Sequence, residues 1–96
     1  MNFESNKRNT IMTQVEIFSS PGCGKCSHAK MLLRQLAEDI GGVEWREVNV
    51  LEELDYAVSL GVLSTPAIAI DGELVFSSLP SAAKLRAALE QRKARP

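Results

Sequence analysis

The chain lacks most of the marks that would assign it quickly. It holds only two cysteines in 96 residues, too few for a disulfide-built scaffold. The two stand three apart, so a bridge between them closes almost no loop and adds little chain-entropy stabilisation. Histidine occurs once, at His28, and aromatic residues make up 5% of the chain. The formal net charge is −1, which provides no global field to draw in nucleic acid or an anionic membrane. No run is long and apolar enough to span a bilayer. Residues 1–14 carry no continuous apolar stretch after Lys7 and Arg8, so a secretory leader is not expected. Repeats and low-complexity tracts are absent. These absences point to one small globular domain, with a reducing cytoplasm as its default setting.

Charge is unevenly spread. Glu38, Asp39, Glu44, Glu47, Glu52, Glu53 and Asp55 crowd one stretch against Arg46 alone. Lys84, Arg86, Arg92, Lys93 and Arg95 make the end basic. Solvated faces account for both runs, and steering of a partner is the less economical reading.

The alternation and periodicity of the apolar residues predict the elements. Residues 1–13 are polar and unpatterned and read as a disordered tail, or as an extension ahead of Met12. Gln14 to Ser19 alternates as a strand. Ala29, Leu32, Leu33, Leu36 and Ile40 recur at helical spacing within a helix from about Gly24 to Ile40, stopped by Gly41-Gly42. Val43 to Val50 reads as a second strand, with Trp45 as packing. Glu52 to Leu60 reads as a second helix with Leu54, Ala57 and Val58 on its core face, supported by Leu51 and ended by Gly61. Thr65 to Ile70 and Glu73 to Ser77 form a hairpin about Asp71-Gly72. Ser81 caps a last helix that turns Leu85, Ala88 and Leu89 inward. Residues 93–96 are a basic tail, leaving a single domain over 14–92.

The order is β-α-β-α-β-β-α. A helix between the first two strands makes them parallel. The second helix carries the chain across to strand three, and strands three and four pair as a hairpin. The expectation is an α/β protein with a four-stranded mixed sheet flanked by helices on both faces.

Chemistry concentrates in Phe18-Ser19-Ser20-Pro21-Gly22-Cys23-Gly24-Lys25-Cys26. The pair follows a strand and opens a helix, and a helix N-terminus favours a thiolate. Cys23 is the candidate nucleophile, and Cys26, one turn on, is close enough to resolve a mixed disulfide. Gly22 and Gly24 allow sharp turning and leave room for a partner chain. Lys25 is a candidate for lowering the pKa of Cys23. His28 does not share a face with Cys26 and reads as a surface residue.

This order, with Cys23-Gly24-Lys25-Cys26 after strand one and Gly61-Val62-Leu63-Ser64-Thr65-Pro66 before strand three, resembles the thioredoxin superfamily across residues 13–92. The resemblance implies a thioredoxin-like fold and a thiol–disulfide oxidoreductase whose only redox group is the Cys23–Cys26 disulfide, with no added cofactor. It implies that Pro66 is cis beside that disulfide, and that Thr65 pairs its backbone with a bound peptide. It implies as partners a protein disulfide or low-molecular-weight thiol, and an electron-donor reductase or glutathione. No nucleic acid, membrane or metal is expected, and nothing requires more than a monomer.

Within the superfamily the fit is to small thioredoxin-like proteins of bacteria and archaea. Gly22 stands where thioredoxin carries tryptophan, and Ile17 falls where it carries a buried acid. The size and the Phe18-Ser19-Ser20-Pro21 entry look like a glutaredoxin. Phe76-Ser77-Ser78-Leu79-Pro80 occupies the slot of the Gly-Gly glutathione signature. The missing signature predicts weak glutathione use, and a glutathione-dependent glutaredoxin is the alternative reading. A copper or zinc carrier using Cys23, Cys26 and His28 is a further one, and a non-catalytic binding module is the last.

Overall fold

A computed structural model of the chain describes residues 12–93. Seven elements follow in the expected order: β1 Thr13–Ser19, α1 Cys26–Ile40, β2 Val43–Asn49, α2 Leu54–Leu60, β3 Ala67–Ile70, β4 Glu73–Phe76 and α3 Ala82–Lys93. The boundaries move by one or two residues. Thr13 belongs to β1 and not to a tail, because its amide donates to the Gly42 carbonyl at 2.9 Å and it pairs with Val43. Lys93 is still helical. The rest of the two expected tails, residues 1–11 and 94–96, lies outside the described residues.

The sheet order is β2-β1-β3-β4. β1 pairs parallel with β2, Thr13 opposite Val43 through Ser19 opposite Asn49. β3 lies on the other side of β1 and runs antiparallel to it, Val15 opposite Ile70 and Phe18 opposite Ala67. The α2 connection thus passes over β1 and reverses strand direction. The β3–β4 hairpin turns at Asp71 and Gly72, with φ of 51° and 81°. Positive φ at both central positions is what a tight two-residue hairpin needs. The turn is also tied to β1, since Gln14 N donates to Asp71 Oδ1 at 2.9 Å.

β1 and β3 are the inner strands, and both contribute to the core on each face of the sheet. Alternate residues of each point to opposite faces. On one face Val15, Ile17, Ile68 and Ile70 pack with Ala29, Leu33 and Leu36 of α1 and Leu85 and Leu89 of α3. On the other, Phe18, Val48, Ala67 and Ala69 pack with Ala57 of α2. Fully burying a side chain such as Leu33 or Phe18 contributes roughly 1.5–3 kcal/mol. The Ser81 hydroxyl accepts from Lys84 N at 3.2 Å and caps α3 as expected.

One expectation about packing fails. Of the apolar residues assigned to the core face of α2, only Ala57 is buried; Leu51, Leu54 and Val58 are exposed. Helix α2 is also shorter than expected, because Leu51 to Glu53 form turns. With only seven residues, it meets the sheet along a narrow strip. Ala57 fits that strip, with Tyr56 and Leu60 packed beside it, while Leu54 and Val58 stay exposed.

Candidate redox site

The site is built where β1 ends. Ser19 closes the strand, and the chain turns through Ser20 to Lys25 before α1 begins. Cys23 N donates to the Ser20 carbonyl at 3.2 Å, and Cys26 N donates to the Cys23 carbonyl at 3.3 Å. Cys23 and Cys26 are joined in a disulfide with their Cα atoms 5.5 Å apart. Cys23 is half-buried and Cys26 is buried. The helix starts at Cys26, two residues later than the periodicity suggested. Cys26 is therefore its first residue and Lys25 its N-cap, with no side-chain hydrogen bond closing that end. The first turn carries no acidic residue, so no carboxylate offsets the positive end of the helix dipole at the sulfur pair.

The two glycines differ. Gly22 holds φ at +78°, a left-handed conformation that side chains other than glycine adopt at a cost. Gly24 has no positive φ, and a Cβ added there would meet nothing within 4 Å. Sharp turning is thus the work of Gly22; what Gly24 contributes is open space. Lys25 and His28 are both exposed. Among the described residues no three His, Cys, Asp or Glu side chains converge into a metal-holding group.

The Thr65–Pro66 peptide bond is cis, with Pro66 buried and Thr65 half-buried. Ser20 links this platform to the cysteine loop. Its hydroxyl shares a 2.8 Å hydrogen bond with Thr65 Oγ1, while its carbonyl holds the Cys23 amide. Cys23, Cys26, Thr65 and Pro66 therefore come together through one serine that the residue pattern did not single out. The contact follows from the β1–β3 register: Phe18 opposite Ala67, continued two residues outward, places Ser20 opposite Thr65.

A carboxylate stands at the same end of the sheet. Glu47 Oε2 accepts from Ser19 Oγ at 2.6 Å and Glu47 Oε1 accepts from Lys30 Nζ at 3.2 Å. These donors hold the Glu47 carboxyl below its ordinary pKa, the Ser19 hydroxyl first and Lys30 second. Ser19 is itself buried, and its hydroxyl finds its partner in that carboxylate. Ile17, on the same strand, is fully buried and apolar.

Surface hollows divide by chemistry. One hollow, about 1010 Å³, lies toward the opposite end of β1 and is lined by Gln14, Glu16, Arg46, Tyr56 and Asp71 among others. Its polar groups are largely paired with one another, as in the Arg46–Glu16 ion pair at 2.7 Å. A smaller hollow, about 270 Å³, reaches Ser20 and Thr65. Proximity to the disulfide, not size, makes the smaller one relevant to exchange.

A bridged cysteine pair at a helix N-terminus, coupled to a cis-proline platform, defines a thiol–disulfide oxidoreductase. The comparisons agree. The thioredoxin-domain family matches residues 13–90. A thioredoxin of Methanocaldococcus jannaschii is 31% identical over 80 residues, covering 82% of this chain and 94% of that one. A probable thioredoxin of Methanothermobacter thermautotrophicus is 26% identical over 76 residues, covering 78% and 89%. The solved structure of a mutant thioredoxin from Halobacterium salinarum superposes with a TM-score of 0.77 at 21% identity, covering 100% of this chain and 88% of that one, which shows the thioredoxin fold. The chain belongs to the thioredoxin family.

Proposed function

We propose that the chain reduces disulfides in proteins, with Cys23 as the attacking thiol and Cys26 as the resolving thiol. The observation that carries this assignment is the unequal burial of the pair: Cys23 reaches solvent and Cys26 does not. Only the accessible sulfur can meet a substrate disulfide in line.

In the reduced protein, the Cys23 thiolate attacks one sulfur of the substrate disulfide. A mixed disulfide forms, and the substrate's other sulfur leaves as a thiolate and takes up a proton. Cys26 then loses its proton, attacks Cys23 Sγ and expels the second substrate thiol. Two electrons and two protons have passed to the substrate, and the Cys23–Cys26 disulfide remains. An external dithiol reductase restores the pair. The cysteines carry both electrons, so the cycle calls for no bound cofactor. Thr65 and Pro66 supply a short edge for the substrate backbone. The N-terminus of α1 favours the thiolate at each attack. A reducing compartment such as the cytoplasm suits a pair that must return to the dithiol.

A protein disulfide is favoured over glutathione because Phe76-Ser77-Ser78-Leu79-Pro80 replaces the Gly-Gly signature. The test is a trapping experiment. Cys26→Ser should accumulate a mixed disulfide at Cys23 with a disulfide-bonded test protein, and Cys23→Ser should accumulate none. Capture through Cys26 would reverse the roles. Efficient glutathione-coupled turnover would favour the glutaredoxin reading.

A further inference from the structure

The two edges of the sheet differ. β4 is four residues long, and its pairing with β3 slips between Ile68 and Ala69. β2 is seven residues long and keeps unbroken register with β1 from Val43 to Asn49. Among the described residues no strand lies on its other side. Such an edge presents backbone N–H and C=O groups that can take up another strand. Protein edges are commonly blunted by proline, lysine, a bulge or shortness, and β2 has none of these. Its defence is charge alone, in Glu44, Arg46 and Glu47, and the order of those charges is self-complementary.

We infer that β2 pairs antiparallel with β2 of a second copy about a twofold axis at Trp45, joining the two four-stranded sheets into one. A twofold axis sets one residue opposite its own counterpart. With Glu44, Arg46 or Glu47 on the axis a charge meets itself, which is destabilising. With Val43, Val48 or Asn49 there, only the end of the strand overlaps. With Trp45 there, Glu44 of each copy meets Arg46 of the other, Val43 meets Glu47, and the two indole rings meet. Among the described residues Glu44 accepts from the Gln14 side-chain amide at 2.8 Å and makes no ion pair. Arg46 holds Glu16 at 2.7 Å and Glu53 at 3.4 Å, yet its side chain is still 52% exposed and has donors to offer. On the opposite face of the strand, Trp45 packs against the core from the edge. It also opens on a hollow of about 410 Å³ lined by Met31 and Arg34, where Met31 is exposed. The second copy's ring covers apolar surface that one chain leaves open to water.

Other occupants match this edge less well. Between Asn2 and Thr10 the only large apolar side chain is Phe3, so the chain's own N-terminal residues lack the alternation of a strand. An unrelated strand gains the backbone bonds without the reciprocal charges. The inference is independent of the exchange reading. Antiparallel pairing directs the two cysteine loops to opposite ends of the joined sheet and leaves both open.

The test is sedimentation equilibrium of the full chain in its oxidised form. The weight-average mass should rise from one chain to two with concentration and fall back at high salt. Emission from Trp45, the only tryptophan, should move to the blue over the same range. Glu44→Arg sets arginine opposite Arg46, and Arg46→Glu sets glutamate opposite Glu44, so each variant alone should dimerise about tenfold more weakly or worse. An equimolar mixture of the two should form a heterodimer, because every opposed pair is then of opposite sign. Circular dichroism checks that both variants are folded. If Arg46→Glu is not, Glu44→Arg carries the test, since it keeps the Arg46–Glu16 pair. Exchange of a small aromatic disulfide should proceed at the same rate per chain in the monomeric variants as in the unaltered protein. A full chain that stays monomeric at its highest soluble concentration would overturn the inference and leave the exchange reading intact. A dimer that Glu44→Arg does not weaken, or a mixture no stronger than either variant, would overturn it too, since another surface would then hold the copies together.

Discussion

Ser20 Oγ and Thr65 Oγ1 lie 2.8 Å apart, and this contact joins two segments 45 residues apart in the chain. One side is the loop that presents Cys23; the other is the platform ending in the cis Pro66. Because the Ser20 carbonyl also holds the Cys23 amide, a change on the platform is felt at the nucleophile. A double-mutant cycle with Ser20→Ala and Thr65→Val on the oxidised protein should show a coupling of about 0.5–1.5 kcal/mol in urea denaturation. Strictly additive effects would mean that the two hydroxyls are satisfied separately and that the loop and platform are not linked through them.

What could be read from the residues alone divides along physical lines. Strand and helix identity was legible because β1 opens on alternating polar and apolar residues, Gln14 to Ile17, and because α1 and α3 each bury one periodic face. The strand three–four hairpin was legible because Asp71-Gly72 suits positive φ. The direction of β3 against β1 was not legible, since a run such as Ala67 to Ile70, buried on both faces, carries no mark of direction. The Ser20–Thr65 contact depends on that direction and was hidden with it. Helix α2 misled for another reason. Its apolar periodicity is real, but Leu54 and Val58 face solvent, and a pattern cannot tell a buried apolar face from an exposed one.

The contrast between buried and exposed leucines gives a stability test. Leu33 is fully buried between α1 and the sheet. Leu33→Ala should cost about 2–5 kcal/mol, combining lost transfer energy with the cavity left behind. Leu63→Ala, at an open position, should stay within about 0.5 kcal/mol of the parent. Similar losses at both sites in urea denaturation would contradict the placement of Leu63 outside the core.

The two glycines around Cys23 should also behave differently. Gly22 sits at positive φ and Gly24 does not, and neither has a neighbour within 4 Å of an added Cβ. Any cost at Gly22 is therefore conformational. Gly22→Ala should destabilise the oxidised protein by roughly 1–2 kcal/mol. Gly24→Ala should be neutral or slightly stabilising, because alanine restricts the unfolded chain. Urea midpoints of the two variants decide this, and equal losses would refute the assignment of the turn to Gly22.

Glu47 supplies an acid-side prediction. Its carboxyl lies below the ordinary value of 4.5 because Ser19 and Lys30 donate to the charged form. A carboxyl lowered in the folded state binds its proton more readily when the chain unfolds. Its stabilisation is therefore complete above the unfolded value and is lost as pH falls through the lower folded one. Glu47→Gln removes that dependence. Urea midpoints followed from neutral to acidic pH should decline less steeply for the variant than for the parent. The difference should be small, since Glu47 is well exposed to solvent and screened by it. A steeper decline in the variant would contradict the direction of the shift.

Tyr56 gives the alkaline counterpart with a cleaner signal, because it is the only tyrosine in the chain. Its hydroxyl donates to Glu16 Oε1, and its ring lies 5.9 Å from Phe18 and beneath the Arg46 guanidinium. Ionisation would remove the donated proton and set a phenolate against the Glu16 carboxylate. The pKa is accordingly raised above 10.0, by the Glu16 hydrogen bond first, then by burial and by the Glu16 charge, with Arg46 opposing. A phenol raised in the folded state contributes stability that is fully present below its unfolded value and is lost as pH rises through the folded one. Alkaline absorbance titration of the folded protein should therefore place Tyr56 above a free phenol, and Glu16→Gln should move it back down. Arg46→Gln should move it further up, because the one opposing charge is gone. A downward shift in the Arg46 variant would mean that the guanidinium acts on Tyr56 mainly by positioning Glu16, and the order of these contributions would have to be reversed.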